Sequence, residues 1–393
     1  MTSARLKPIA VMLLLLPLSA MGLTGCWDSR EIEDQFILTA IAIDVSDNPG
    51  EISVTAQVAD ITKGESGSGQ AGKSGNASIV IKTTGDSLMT CLTEMDRDSS
   101  HKLLFHHNQI RVFGMEMARQ GIKKHLDMIM RDQKARLEVP LAIVDQRGEE
   151  ALTATLAEMP ISGIYLGEVF ENQAKISPQY RVRLLDFVQR LLDDAAAPVI
   201  PIIRVEGEGG KQEIKMAGMA VFHNDRMIGR LTNDEALGYI LSFDKVKRCN
   251  IEVFEGTDRA GLHIASSECK REVTLRQDGG VRVSLMIDAA AELGQVYGFK
   301  KMKPPELLKH LEKLAQEEIK DKITGCFLTA QGLDADIFGF CTMVSKKYPG
   351  QWSGMKDRWD QVFSDIELSV QVKVKLSGTG QIVQSLEMEE NMK

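Results

Sequence analysis

The sequence predicts an α+β fold, and three observations lead to that prediction. Its 393 residues are enough for two or three domains of about 100–200 residues each. Hydrophobic residues make up 43% of the chain and charged residues 26%, which is ordinary for a globular protein with a sizeable core. Strand-like runs that pair around turns are interleaved with amphipathic helical segments. We therefore expect mostly antiparallel or mixed β-sheets flanked by α-helices.

The first half of the chain reads as a β-hairpin followed by alternating helices and strands. Two β-rich runs, 36–45 and 52–58, flank the turn S-D-N-P-G, which is a hairpin signal. The spacing of apolar residues then predicts helices with short strands between them. In chain order we expect a strand at 78–82, a helix from 88, a strand at 103–113, a helix at 115–131, a strand at 137–144 and helices at 149–158 and 180–193.

The second half begins after a predicted linker, the run A-A-A-P-V-I-P at 195–201. A hairpin is expected to turn at Asn224 and Asp225, and a capping box from Thr232 to Glu235 opens a helix. The last strand alternates apolar and polar residues, which suits an antiparallel sheet with one wet face. The remaining expected elements are strands at 250–255, 261–267, 272–276 and 281–289, a long helix from 304, a second helical piece at 336–349, and the last strand at 366–376.

The N-terminus predicts a signal peptide that ends at a lipid attachment site. The apolar run 9–23 follows the positive residues Arg5 and Lys7, and it is shorter than the roughly 20 residues of a membrane span. Its exit resembles the lipobox of bacterial lipoproteins, in which the cysteine thiol takes a diacylglyceryl group and cleavage makes that cysteine the new N-terminus. An uncleaved anchor and a plain secretion signal are the alternatives. The lipobox positions are Leu23, Thr24, Gly25 and the attachment residue Cys26.

The residues directly after the attachment site are candidates for contact with the membrane or with a partner. Trp27 could rest at the headgroup level, where amphipathic aromatic side chains are favoured, or belong to the core of the first domain. Asp28, Arg30 and Glu31 are expected to begin that domain close to the membrane. Stable anchoring needs two or more acyl chains, since one chain binds only marginally.

Composition and motifs argue against several other classes of function. The formal net charge of −8, without a basic run, argues against a nucleic-acid binder. His101, His106 and His107 are close in sequence, but on a strand the last two point to opposite faces, so no metal site is expected. We find neither a nucleophile elbow nor a metalloprotease helix. The sequence therefore predicts no catalytic residue, no cofactor and no metal ligand.

The cysteines are expected to be buried thiols. None of the six lies in a C-x-x-C pair, which leaves structural zinc and thioredoxin-like chemistry unsupported. A Cys249–Cys269 disulfide is the alternative, but free thiols are favoured. If Cys26 carries lipid, five cysteines remain: Cys91, Cys249, Cys269, Cys326 and Cys341.

A phosphate-loop pattern in the Gly/Ser-rich segment is interpreted as a chance match. The run 67–74 satisfies G-x-x-x-x-G-K-S through Gly67, Gly72, Lys73 and Ser74. That motif binds phosphate only when a helix leaves the loop, so that its N-terminus faces the anion. The segment that follows, N-A-S-I-V-I-K, is typical of a strand. A flexible surface loop is therefore the favoured interpretation.

Several short runs of the chain form an ordered set. They are L-T-G-C-W-D-S-R-E-I-E, the strand after it that ends A-I-D at Asp44, F-H-H-N-Q-I-R-V-F-G-M-E-M-A-R-Q-G-I, R-D-Q-K-A-R, A-G-M-A-V-F-H-N-D-R-M-I-G-R-L, D-I-F-G-F, Y-P-G-Q-W and W-D-Q-V-F. In this order the runs resemble the Ger(x)C family of spore germination lipoproteins, the C subunits of germinant receptors. Singly the runs are weak, but as an ordered set that spans nearly the whole chain they are specific. A departure is Cys341, where the family is expected to favour glycine.

The resemblance implies three α+β domains, each a mostly antiparallel or mixed sheet flanked by helices. It also implies a non-catalytic, lipid-anchored subunit on the outer face of the spore inner membrane. There it would work with the integral membrane A and B subunits to trigger germination in response to nutrients. The expected boundaries are a signal peptide at 1–25, an N-terminal domain at 26–198, a middle domain at 199–270 and a C-terminal domain at 271–393.

Two other functions stay open at this point. A solute-binding lipoprotein of a transporter would need two hinged lobes of parallel α/β structure, whereas this chain favours hairpins. A phosphate-loop NTPase would need the run 67–74 to be a working nucleotide site.

Overall fold

The structure is a computed structural model that describes residues 35–59, 78–133, 135–193, 195–208, 212–243, 245–299 and 302–377. Two β-sheets form the framework of these parts. The strands are β1 Gln35–Val45, β2 Ile52–Ala59, β3 Ser78–Gly85, β4 Lys102–Leu104, β5 Ile110–Gly114, β6 Leu141–Val144, β7 Val199–Glu206, β8 Glu213–His223, β9 Arg226–Leu231, β10 Lys245–Glu255, β11 Asp258–Leu275, β12 Val281–Tyr297 and β13 Glu367–Leu376.

Helices separate and cover these strands. The helices are α1 Leu88–Asp98, α2 Met115–Gln120, α3 Lys123–Arg131, α4 Gly148–Thr153, α5 Ser162–Ile176, α6 Leu184–Leu192, α7 Asn233–Leu241, α8 Pro304–Gly332, α9 Phe340–Lys347, α10 Pro349–Trp352 and α11 Trp359–Ser364. Sheets that are mixed or antiparallel and flanked by helices confirm the predicted α+β class.

The first sheet, called the large sheet below, has nine strands in the order β3-β2-β1-β5-β6-β7-β8-β9, with β4 beside β1. Its two ends are antiparallel, as expected for strands joined by hairpins. Its middle strands, β1, β5, β6 and β7, are parallel. Parallel neighbours need crossover connections, and helices on both faces supply them. Every residue of β5 and β6 is consequently buried.

The two faces of the large sheet carry separate cores. Phe113 and Ile143 point to the face that α1, α2, α3 and α6 cover. Val112 and Ala142 point to the opposite face, which packs against α4 and α5. Side chains alternate along a strand, so neighbouring residues of one strand serve different cores.

The second sheet has four strands in the order β10-β11-β12-β13. One face of this sheet packs against α7, α8, α9 and α11. The other face is exposed to solvent, so buried and exposed residues alternate along β12. This core continues into the end of the large sheet through Met219, Val221 and Leu231. The two sheets therefore share buried contacts.

The last strand departs from the expected pairing. The alternation at 366–376 suits an antiparallel neighbour, but β13 runs parallel to β12, with Arg282 opposite Glu367. The helices α8 to α11 lie between the two strands and form the long crossover that a parallel pair needs. Alternation identified the buried face of the strand and left its direction undetermined.

Two predicted elements are broken in the structure. The strand expected at 103–113 is interrupted by a 3₁₀ turn, Phe105–His107, between β4 and β5. The helix expected at 115–131 is split at Gly121, whose φ is 116°. A Cβ atom there would lie 2.6 Å from the Asp225 carboxylate, so the close approach of the β8–β9 turn explains the break.

The segment predicted as a linker lies inside the molecule. Ala195, Ala197 and Val199 are buried, and the backbone N–H of Ala197 donates to the Asp336 carbonyl at 3.0 Å. The strand β7 then continues the large sheet. The described residues form two sheets, and the expected count of three domains with its boundaries stays a prediction.

Candidate functional site

The predicted anchor and the phosphate-loop match both lie outside the described residues. The anchor group comprises Leu23, Thr24, Gly25, Cys26, Trp27, Asp28, Arg30 and Glu31; the loop group comprises Gly67, Gly72, Lys73 and Ser74. Within the described part of the chain, no helix is long and apolar enough to cross a membrane.

The histidines and cysteines form no metal centre in the part of the chain that the structure describes. His101 packs beside Phe36, with ring centroids 4.4 Å apart and the rings tilted by 34°, and His106 and His107 lie in the 3₁₀ turn. The cysteines of the described ranges are buried thiols outside any disulfide, which confirms the favoured thiol state. They are Cys91, Cys249, Cys269, Cys326 and Cys341.

Asp44, in the A-I-D run near the end of β1, caps the helix α4. Its carboxylate accepts hydrogen bonds from the backbone N–H groups of Gly148 at 2.6 Å and Glu149 at 3.0 Å. Burial raises the pKa of Asp44, and the two backbone hydrogen bonds oppose that rise. A Cβ atom on Gly114 would lie 2.1 Å from this carboxylate, so glycine is required beside it. The arrangement joins β1, β5 and α4.

Asp225 makes a second connection of the same kind. Its carboxylate accepts from the backbone N–H of Lys123 at 3.0 Å, and its carbonyl accepts from Ile122 at 3.0 Å. The turn between β8 and β9 thereby holds the start of α3. Asn224 in the same turn has a φ of 52°, which asparagine tolerates better than most residues.

Asp336 links two further family-like runs, D-I-F-G-F and W-D-Q-V-F. Its carboxylate is 2% exposed and accepts from the backbone N–H groups of Phe340 at 3.0 Å and Cys341 at 2.7 Å. It also accepts from the indole Nε1–H of Trp359 at 3.1 Å. Burial raises the pKa of Asp336, and these donors oppose the rise. Cys341 contributes its backbone N–H, which any residue other than proline supplies, and its thiol also hydrogen-bonds the Asp336 carboxylate. The departure from glycine therefore keeps the backbone cap and adds a side-chain contact to it.

Two other family-like runs, F-H-H-N-Q-I-R-V-F and R-D-Q-K-A-R, line one groove of about 560 Å³ beside α1 and α3. Arg111 is 4% exposed there and donates to the Arg136 carbonyl at 3.0 Å. Burial lowers the pKa of Arg111 to about 10. Asp127 pairs with Arg131 on the rim. Because these charged groups are engaged within the protein, the groove offers mainly the apolar surface of Leu88, Met89, Leu92 and Met128.

A second cavity, of about 430 Å³, lies where the large sheet meets α7; it is called the arginine cleft below. Three guanidinium groups line it, those of Arg181, Arg183 and Arg190, with Asp186 and the buried Tyr239. Burial raises the pKa of Tyr239, and the neighbouring charge of Arg190 opposes that rise. The sequence analysis missed this cleft, although the R-V-R run at 181–183 is a visible signal.

Two family matches divide the chain between β7 and β8, within the large sheet. The family described as "Spore germination protein N-terminal domain" matches residues 28–205. The family described as "Spore germination B3/ GerAC like, C-terminal" matches residues 217–380.

Similar proteins span nearly the full length of the chain. Spore germination protein KC of Bacillus subtilis (strain 168) is 26% identical over 392 residues, covering 93% of this chain and 94% of that protein. Spore germination protein GerQC of Bacillus cereus is 20% identical over 361 residues, covering 91% and 96%. The crystal structure of the GerBC protein has a TM-score of 0.53 at 14% identity, covering 86% of this chain and 97% of that one. The last likeness shows the shared fold.

These matches show the class of the protein, which is an α+β spore germination protein with an N-terminal and a C-terminal family region. The chain belongs to the Ger(x)C family, the family of germinant receptor C subunits, as its ordered motifs indicated. The aspartates of those motifs, Asp44, Asp225 and Asp336, serve as structural caps.

Proposed function

We propose that this chain is the lipid-anchored C subunit of a nutrient germinant receptor. The observation that carries the proposal is the short separation in sequence between the predicted attachment residue and the start of the N-terminal family region. The match to the N-terminal family region begins at residue 28, two residues after Cys26. A diacylglyceryl group on Cys26 would therefore hold the first domain directly against the bilayer, with Trp27, Asp28, Arg30 and Glu31 at the membrane or beside a partner.

The proposed setting is the outer face of the spore inner membrane, in a complex with the integral membrane A and B subunits. In that complex the subunit is required for the response to nutrients that triggers germination. We propose that it acts by contact and not by catalysis. The buried carboxylates support this, because Asp44 and Asp336 are occupied by two or three donors each and are unsuited to proton transfer.

Replacement of the lipid-bearing thiol tests the proposal. Cys26→Ala removes the nucleophile for acylation, so the protein should leave the membrane fraction, stop co-purifying with the A and B subunits and fail to support germination. Cys249→Ala is the matched control, because it removes a buried free thiol and leaves the anchor untouched. Normal membrane retention and germination of the Cys26→Ala strain would contradict the proposed anchoring.

A further inference from the structure

The arginine cleft places basic side chains from one short stretch beside a residue of the second core. Arg181 and Arg183 precede or cap α6, Arg190 lies in its last turn, and Tyr239 belongs to α7. The cavity measures about 430 Å³, within the range of small-molecule sites. The cleft therefore has both the room and the polar groups that a small ligand needs.

The three guanidinium groups are engaged to different degrees. Arg190 donates to the carbonyls of Ala197 at 3.1 Å and Ile337 at 2.7 Å, which ties α6 to the second half of the chain. Arg183 makes two 2.8 Å hydrogen bonds to Asp186. These two arginines stabilise the fold through these hydrogen bonds. Each guanidinium group nevertheless has five N–H donors and can bind further oxygens.

Arg181 is the arginine that can change partner at small cost. Its guanidinium group pairs with Glu171, whose side chain is 59% exposed. An exposed ion pair of this kind adds little stability, because water solvates both charges well. A ligand in the cleft can therefore take over Arg181 from Glu171.

Charge and the shape of the anion together select the ligand chemistry. Three guanidinium groups face two carboxylates, Asp186 in the lining of the cleft and Glu171 beside Arg181, which leaves an excess of one positive charge. Guanidinium groups bind phosphate and carboxylate oxygens through paired hydrogen bonds. A phosphate group carries between one and nearly two negative charges near neutral pH, and its tetrahedral oxygens can accept from two guanidinium groups at once, so it suits the cleft better than a single planar carboxylate does.

We propose that the arginine cleft binds a phosphate group, either of a free phosphate compound or of an anionic lipid headgroup. Arg181 and Arg190 supply the donors, and Tyr239 contributes from the second half of the molecule. A bound phosphate contacts residues before and after the junction at 195–199, so it stabilises the packing of the large sheet against the second core. This inference goes beyond the proposed function and does not depend on it.

The test uses the full chain in micelles of an uncharged detergent. Inorganic phosphate is compared with sodium chloride at equal ionic strength, and the melting temperature is followed by tryptophan fluorescence. Phosphate should raise the melting temperature, because a ligand that binds the folded state stabilises it. A second series replaces phosphate with micelles that contain phosphatidylglycerol, which distinguishes the lipid source from the free source.

Three variants make the test specific to the cleft. Arg181→Gln should weaken the apparent affinity about ten-fold, equivalent to about 1.4 kcal/mol. Glu171→Gln removes the competing carboxylate and should strengthen the affinity about two- to five-fold. Arg119→Gln is the matched control, because Arg119 lies exposed on α2 with Glu116 and outside the cleft.

The outcomes separate clearly. A response to phosphate, to phosphatidylglycerol or to both that weakens in Arg181→Gln and strengthens in Glu171→Gln supports the proposal and identifies the source. Equal losses in Arg181→Gln and Arg119→Gln would mean unspecific attraction and would overturn it. Melting temperatures that respond to neither compound beyond the chloride control would overturn it as well.

Discussion

The large sheet and the second sheet are buried in different ways. The central strands β5 and β6 of the large sheet are covered by helices on both faces, and all their residues are buried. In β12 of the second sheet, buried and exposed residues alternate, with Met286 38% exposed on the outer face. Helices cover both faces of the large sheet at β5 and β6, whereas helices cover a single face of the second sheet.

The two halves of the molecule are therefore stabilised by different contacts. Helices cover the large sheet on both faces, and Asp44 of β1 and Asp225 of the β8–β9 turn bind to the starts of helices. The second half has one core, and its helices α9 and α11 meet at the buried Asp336. Substitutions should therefore cost most in the large sheet and least on the outer face of the second sheet.

The largest expected effect is in the middle of the large sheet. Ile143→Ala in β6 removes a fully buried side chain and should lower the free energy of unfolding by about 2–5 kcal/mol. Met286→Ala on the outer face of the second sheet is the control and should change it by less than about 0.5 kcal/mol. Urea denaturation measures both values. Similar losses for the two variants would contradict the described difference in burial.

The next effect depends on pH and concerns His125 in α3. Its side chain is 2% exposed, and burial lowers its pKa to about 4 from an ordinary value near 6.5. Between these two pKa values the unfolded chain binds a proton that the folded protein does not. Stability should therefore be fully present above about pH 6.5 and should fall by up to about 3 kcal/mol as the pH drops to about 4.

Urea denaturation at several pH values measures this dependence. His125→Leu should flatten the curve between pH 4 and 6.5, since the side chain no longer titrates. His263→Gln is the control, because His263 lies exposed on the second sheet and bonds to Asn250. An unchanged curve in His125→Leu would show that another group causes the acid sensitivity.

The smallest of the three effects tests the buried carboxylate of the second half. Trp359→Phe keeps a ring in the core but removes the indole donor to Asp336, and it should cost about 2 kcal/mol of unfolding free energy. Trp352→Phe is the control, because that ring is half-buried and packs 5.2 Å from Trp359. If both variants lose the same stability, ring packing rather than the hydrogen bond holds this region.

Much of the local structure could be predicted from short-range signals. The β1–β2 hairpin, the turn at Asn224 and the capping box from Thr232 to Glu235 are all present. The helix α8 begins where the prolines at 304 and 305 predicted it. These features depend on residues within a few positions of one another, so the amino-acid order carries the needed information.

The break at Gly121 could not be predicted in this way. The apolar spacing through 115–131 is consistent with one continuous helix, and the split results from the distant Asp225 carboxylate. The arginine cleft could not be predicted from short-range signals either, because Tyr239 belongs to α7 while the arginines belong to the stretch around α6.

The sequence by itself determined the α+β class, the family and the capping box from Thr232 to Glu235. Only the tertiary structure decided the parallel direction of β13, the shared core between the two sheets and the convergence of Arg181 and Tyr239. The physical reason is that periodicity identifies which face of an element is buried but carries no information on its neighbour. Neighbours are chosen by packing between segments that are far apart in the chain.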